Sequence, residues 1–382
     1  MNYFKNQLAK AVKQKTFIFL LIGAFSLGCC FSIYLKLMEP VNLPATITAE
    51  KAEASRLVDR YQANQSGSPD QQEVYQLLLE NNTLTSRQLS NLIMEEYERF
   101  NQTSIQIAEL KKQIWASEVD DKAFLPPMWT IEQKQTVYQA LAEQEKDPVL
   151  TAANTQTAVA LAITFLLNFG FFFWAFFASD NLLEEREHFS LIRSYPQIFP
   201  IRMVSKVFVK TITNLGILLV FFLGVFLSMS LLGEFGDWQY PVAVYLSGDW
   251  VALPFWQSVL YSMASFALLI GLIECLGFVM NMVAANRYVS FFLLVLFYGF
   301  GLIPMLQKIP ILPVHLAAMD KFYSGAFALG SGTSWGVYAS WLLTLVWIFL
   351  CLSIMLVADK QNRLLRGGKG RKTIFSLNYA SC

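Results

Sequence analysis

Six long apolar runs, at residues 16–37, 155–178, 204–232, 254–283, 289–306 and 335–357, are set apart by polar segments of very different size. Five of them exceed the roughly 18 residues that separate a membrane span from a buried core helix, and 289–306 sits near that limit. The pattern predicts six transmembrane helices. The large polar segment, 38–151, has a helical rhythm instead: 71–80, 86–115 and 131–144 place apolar residues three and four apart, as in Leu89, Leu92, Ile93, Tyr97 and Phe100. Thr85 or Ser86 is a candidate cap for the second stretch, and 66–69 and 125–127 read as breaks. The expected fold is an all-α polytopic membrane protein with a helical extracytoplasmic domain, a small bundle or hairpin, inserted between spans one and two.

Residues 1–15 put Phe4, Leu8, Ala11 and Val12 on one helical face, away from Lys5, Lys10, Lys13 and Lys15. That reads either as an interfacial amphipathic helix or as a plain basic flank. The basic start followed by an apolar run also suggests a signal peptide. However, Ser26 and Cys29 do not suit cleavage at the Cys29-Cys30 pair, and the apolar sequence continues through Leu35, so an uncleaved anchor is expected. The chain thus divides into an amphipathic helix at 1–15, a span at 16–37, the extracytoplasmic domain at 38–151, the remaining spans within 152–358, and a basic tail at 359–382.

Composition agrees: 55% of residues are hydrophobic and only 15% charged, too few for a soluble enzyme of 382 residues. The same figures exclude disorder, and a net charge of +1 offers no basic excess for nucleic acid. That small total hides a separation. The segment 38–151 holds 18 acids and 10 bases, whereas the N-terminus, the loop after span two, the turn after span four and the tail together hold 16 bases and 5 acids. Lysine and arginine mark the cytoplasmic side, so both termini are expected inside a cell membrane, with the helical domain outside. The five cysteines avoid that domain, which suits a bacterial protein held without disulfides.

Catalytic patterns are sparse. There is no His-Glu-x-x-His metal motif, and the expected topology puts His188 and His315 on opposite sides. Gly330-Ser331-Gly332 lacks the form of a nucleophile elbow. The nearest approach to a phosphate-binding loop, at 367–373, has Arg371 where its second glycine belongs. No enzymatic activity, metal or cofactor is expected.

The loop at 180–203 is the informative one. Asp180 or Asn181 is a natural N-cap, Glu184, Glu185 and Glu187 suit the first turns of a short amphipathic helix, and Pro196 ends it. With Glu185-Arg186-Glu187, then Leu191 to Pro196, then Lys206 opening span three, the chain resembles the permease subunit of type-2 ATP-binding-cassette exporters. The N-terminal helix, the six spans and the insertion after span one extend the likeness, although His188-Phe189-Ser190 stands where that family often has Lys-Gly-Thr. The resemblance implies a coupling helix seated on a separate cytosolic ATPase subunit, which would use the ATP. It further implies a second contact at Asn286 and Arg287, and a second permease, identical or paralogous, beside this one. Glu274, nine residues from the end of span four and so about 14 Å deep, costs roughly 3 kcal/mol or more unless neutral, paired or wet. It is either on a translocation path or bonded to a neighbouring helix, with Asn168 and Asn214 as candidate partners. An exporter of amphipathic or hydrophobic substrates (a peptide, a lipid-linked molecule or a drug) is the expected function. The alternative is a membrane-anchored sensor or scaffold whose outer domain binds a partner protein.

Overall fold

The computed structural model describes residues 2–38, 42–62, 65, 68–117, 125–150, 154–181, 199–284, 286–301 and 303–360. The chain is almost entirely helical. Helix α1 (Asn2–Lys13) is amphipathic and lies against the bundle, with Phe4 packed 5.6 Å from Phe208. Among the described residues five helices are long and apolar enough to cross a membrane: α2 (Lys15–Met38), α7 (Thr155–Ala178), α8 (Phe199–Leu232), α9 (Phe255–Val283) and α14 (Val337–Lys360). The protein is a multi-pass membrane protein.

Two close crossings organise the bundle. Gly28 of α2 sits on α8 so tightly that a Cβ there would lie 2.3 Å from the Phe221 carbonyl oxygen, and one on Gly224 would lie 2.5 Å from that of Phe25. Ser32 Oγ completes this contact by donating to the Val225 carbonyl at 3.1 Å. Such small-residue seams let transmembrane helices approach without a hydrophobic driving force. At the second crossing Gly277 of α9 presses on α7, where a Cβ would meet the Ala178 oxygen at 2.4 Å. The central helix α9 is buried along much of its length, with Phe266, Leu269, Ile270, Ile273 and Phe278 in the main core.

The fifth apolar run departs from expectation. It forms α10 (Arg287–Phe300), only 14 residues and about 21 Å long, short of a full span. The cause is local: at Gly301 the chain approaches so closely that a Cβ would lie 2.5 Å from the Val314 oxygen, and Pro304 follows. The stretch beyond it is no surface loop. It coils into α11 (Pro304–Gln307), a 3₁₀ turn (Pro313–Ala317), α12 (Asp320–Tyr323) and α13 (Ala326–Ser331), burying Leu316, Met319 and Phe322 in the core. Trp347, ten residues into α14 and so about 15 Å along it, donates to the Ile311 carbonyl at 2.9 Å.

The segment between α2 and α7 is helical as expected, with different boundaries. It comprises α3 (Leu43–Arg60), which the spacing does not predict, then α4 (Pro69–Ile93), α5 (Tyr97–Ala116) and α6 (Met128–Glu143). Ser68 caps α4 in a reciprocal capping box with Gln71, and Pro127 precedes α6. Thr85 and Ser86 are not caps. They lie inside α4, donating to Asn81 and Asn82 carbonyls, and the break falls at Glu95, whose φ is +58°. Two small cores hold the four helices, one around Leu78 and Ile114, the other around Ile47, Leu92 and Phe100. Between α8 and α9 a hairpin, β1 (Pro241–Tyr245) with β2 (Trp250–Pro254), pairs Val242 with Leu253 and Val244 with Val251. It supports the helical segment through Trp250 Nε1 to Glu132 (3.2 Å) and Lys146 to Asp237 (2.7 Å).

Candidate functional site

Glu274 lies in α9 with no exposed surface. A carboxylate so placed needs donors, and two amides supply them: Asn181 Nδ2 at 2.6 Å from Oε2 and Asn214 Nδ2 at 2.8 Å from Oε1. Asn181 Nδ2 also reaches the Glu274 main-chain carbonyl at 3.1 Å. The three residues come from different elements: α9, the turn after α7, and α8.

From Asn181 the network runs outward to charge. Lys206 Nζ donates to the Asn181 carbonyl at 2.7 Å, and Lys210 Nζ donates to the Asn181 side-chain oxygen. Lys210 also pairs with Asp180 Oδ1 at 3.4 Å, and Arg287 approaches Asp180 Oδ2 at 3.8 Å while its guanidinium covers Phe176 at 4.6 Å from the ring centre. The 206 and 210 spacing puts both lysines on one face of α8, and Asn214 is the next step along it. Asn286 caps α10, accepting from Tyr288 N at 2.8 Å and Val289 N at 3.4 Å. Buried Asn281 finishes the seam, donating to Gly277 and Ala178 carbonyls and accepting from Ser290 Oγ at 3.2 Å.

Of the residues singled out by sequence, Glu274 and Asn214 meet, and Arg287 joins them through Asp180. Asn168 does not reach Glu274. Its side chain donates to the Thr164 carbonyl at 2.9 Å, and its own carbonyl accepts from Tyr298. The reason is spacing along α7: Asn168 is ten residues before Ala178, whereas Asn181, which does reach Glu274, stands just beyond that end. Glu184, Glu185, Arg186, Glu187, Leu191 and Pro196, like His188, lie outside the described residues. Asn181 and Asn281 are the partners the sequence reading missed. An Asn inside an apolar run, as at 281, is the available signal; Asn181 was taken for a cap.

A second polar site lies between α3, α5 and α6. Glu50 bonds Lys134 at 2.7 Å and lies 3.5 Å from Lys111, beside a cavity of about 340 Å³. Burial pushes the Glu50 carboxyl up, but the two lysines outweigh it and hold it below its ordinary value. Among the described residues no group of three or more His, Cys, Asp or Glu is arranged to hold a metal ion. Ser331 Oγ donates to the Phe327 carbonyl at 2.7 Å, as a helix-end serine does. No family model, curated protein or solved structure matches this chain.

Proposed function

We propose that the chain is the permease subunit of an ATP-driven exporter, moving an amphipathic or hydrophobic substrate outward while a separate cytosolic subunit hydrolyses ATP. One observation carries the reading. Asp180 and Asn181, where the Glu185-Arg186-Glu187 loop begins, are bonded both to Arg287 of the second turn and to Glu274 within the bundle. The two stretches that would touch an ATPase therefore share one polar network with the carboxylate on the candidate path. A membrane scaffold has no use for such a linkage.

In this reading both termini are cytoplasmic, the helical segment α3–α6 is outside, and α10 with its coiled continuation makes the fifth crossing. ATP-driven closure of the ATPase pair draws the two permeases' coupling loops together. The pull reaches α7 and α8 at Asp180 and Lys210 and alters the seam at Glu274. Glu185→Ala with Glu187→Ala, in the complex assembled with its co-purifying ATPase, is expected to reduce transport-linked ATP hydrolysis at least tenfold. Unchanged coupling refutes the assignment.

A further inference from the structure

Two cavities adjoin on the bundle flank, and their chemistries differ. The first, about 660 Å³, lies between α1, α2 and α8 at the end of the bundle where α8 begins. Lys10, Lys206, Lys210 and Arg287 line it against the single carboxylate of Asp180. The second, about 780 Å³, is a groove between α2, α7 and α8 lined by apolar and aromatic groups, with Phe19, Phe165, Phe169 and Phe173 opening to the outside. Leu20 and Ile217 belong to both walls, so the two adjoin.

The groove contains one polar group. Trp174 Nε1 is buried and has no hydrogen-bond partner among the described residues. It stands six residues, about 9 Å, inward from Asp180 along α7. An indole N–H donates only, and leaving it unmet in an apolar site costs about 1–3 kcal/mol. The N–H has no accessible surface, so only a turn of the indole would present it to the groove.

We infer that this flank is a binding site for an anionic phospholipid. The phosphate lies in the basic cavity, and an acyl chain runs along the phenylalanine groove. Charge complementarity selects this occupant: a zwitterionic head brings a cation to an excess of cations, and a free phosphate leaves the groove empty. Basic pockets at the ends of membrane helices hold anionic head groups in this way. Asp180, Lys206 and Lys210 serve both the lipid cavity and the Glu274 network, so occupancy is felt at the seam. The inference does not depend on export and stands or falls separately from it.

Gly23 provides a clean test, because a Cβ there meets nothing within 4 Å and the position lines the groove. Full-length protein is exchanged into mixed micelles, and bound lipid is counted by native mass spectrometry with phosphatidylglycerol, phosphatidylcholine or glycerol 3-phosphate as probe. Wild type is expected to retain phosphatidylglycerol at least tenfold better than phosphatidylcholine, with no competition from glycerol 3-phosphate at matched concentration. Gly23→Leu should lower retention at least tenfold, and Lys10→Gln on the order of 5-fold, both with unchanged unfolding temperature. Equal retention of the two lipids, full competition by glycerol 3-phosphate, or retention unaffected by Gly23→Leu overturns the site. A change of oligomeric state in Gly23→Leu with lipid binding intact also overturns it, assigning the groove to a second copy of the chain.

Discussion

Replacing Glu274 separates what its oxygens do from what its charge does. Glu274→Ala removes the acceptor for Asn214 Nδ2 at 2.8 Å outright, whereas Asn181 Nδ2 keeps the residue-274 carbonyl at 3.1 Å. One orphaned donor in a fully buried site costs about 1–2 kcal/mol, and the emptied volume adds about 1 kcal/mol. Hydrogen bonds between membrane helices run weaker than the aqueous figure, averaging near 0.6 kcal/mol, which sets the lower end, so about 1.5–3 kcal/mol in total is expected. Glu274→Gln keeps the volume. Its oxygen accepts from Asn181, and its NH₂ meets Asn214 once that amide turns over to present oxygen, for a cost under about 1 kcal/mol. At about 2–4 °C per kcal/mol the alanine variant should unfold roughly 5–10 °C lower and the glutamine variant within about 4 °C of wild type. Scanning fluorimetry at a fixed heating rate reads the difference, a fixed rate being needed because membrane proteins unfold irreversibly. Equal losses in both variants would mean that charge and not acceptor count holds the seam. No loss in either would refute the network as a structural tie.

Two further outcomes follow from single contacts. Gly28→Ala and Gly224→Ala should each destabilise by about 1–3 kcal/mol, because the added carbon meets main-chain oxygen that yields only if α2 and α8 separate. Gly23→Ala, on the same helix with open space around it, should be neutral or gain up to about 1 kcal/mol of helix propensity, and thermal unfolding of the three variants side by side checks the contrast. The carboxyl of Glu50 is held below its ordinary value of about 4.3, so the folded state binds its proton less readily than the unfolded chain does. Its stabilisation is complete above that value and lost as pH falls through the lower folded one. Amide protection in α3, taken relative to the intrinsic exchange rate at each pH, should therefore fall more on acidification below about pH 4.5 in wild type than in Glu50→Gln, and identical profiles would refute the pairing.

The apolar runs made the membrane helices legible because burial in lipid imposes length, and α7 falls on the limits its composition suggests. Helix α8 begins at Phe199, before the apolar run, because a helix start tolerates the proline that follows and the lysines are satisfied within the polar network. The break at Glu95 was hidden because a positive φ there needs no glycine or proline, and α4 ran on through Asn81 to Ser86 because those polar groups bond within and between helices. The hairpin did leave a signal, alternating Val242, Val244 and Trp250, Ala252 about Gly248, but the surrounding acids and tryptophans masked it. Glu274 was conspicuous as a lone carboxylate. Of the two amides that answer it, Asn214 was named from the sequence and Asn181 was not, since the second pairing depends on where α7 ends and not on residue type.

The placement of that pairing bears on how the proposed exporter would move. Helices α2 and α8 are interlocked by Gly28 and Gly224, and α7 and α9 by Gly277, with main-chain approaches that open only by losing the contact. Between these pairs lies a seam of amides, lysines and one carboxylate, in which Lys210 bonds both Asp180 and Asn181 and can shift between them at little cost. Asn181 shows this already, with its NH₂ shared between the side chain and the main chain of Glu274. Displacement applied where α7 ends and α8 begins would meet stiff resistance at the glycine crossings and little at the seam. The two pairs would then shift as units about Glu274. A neutral side chain of the same shape should preserve the fold and yet stiffen or slacken that motion. For that reason Glu274→Gln, and not Glu274→Ala, is the variant in which a loss of transport can be attributed to the carboxylate itself.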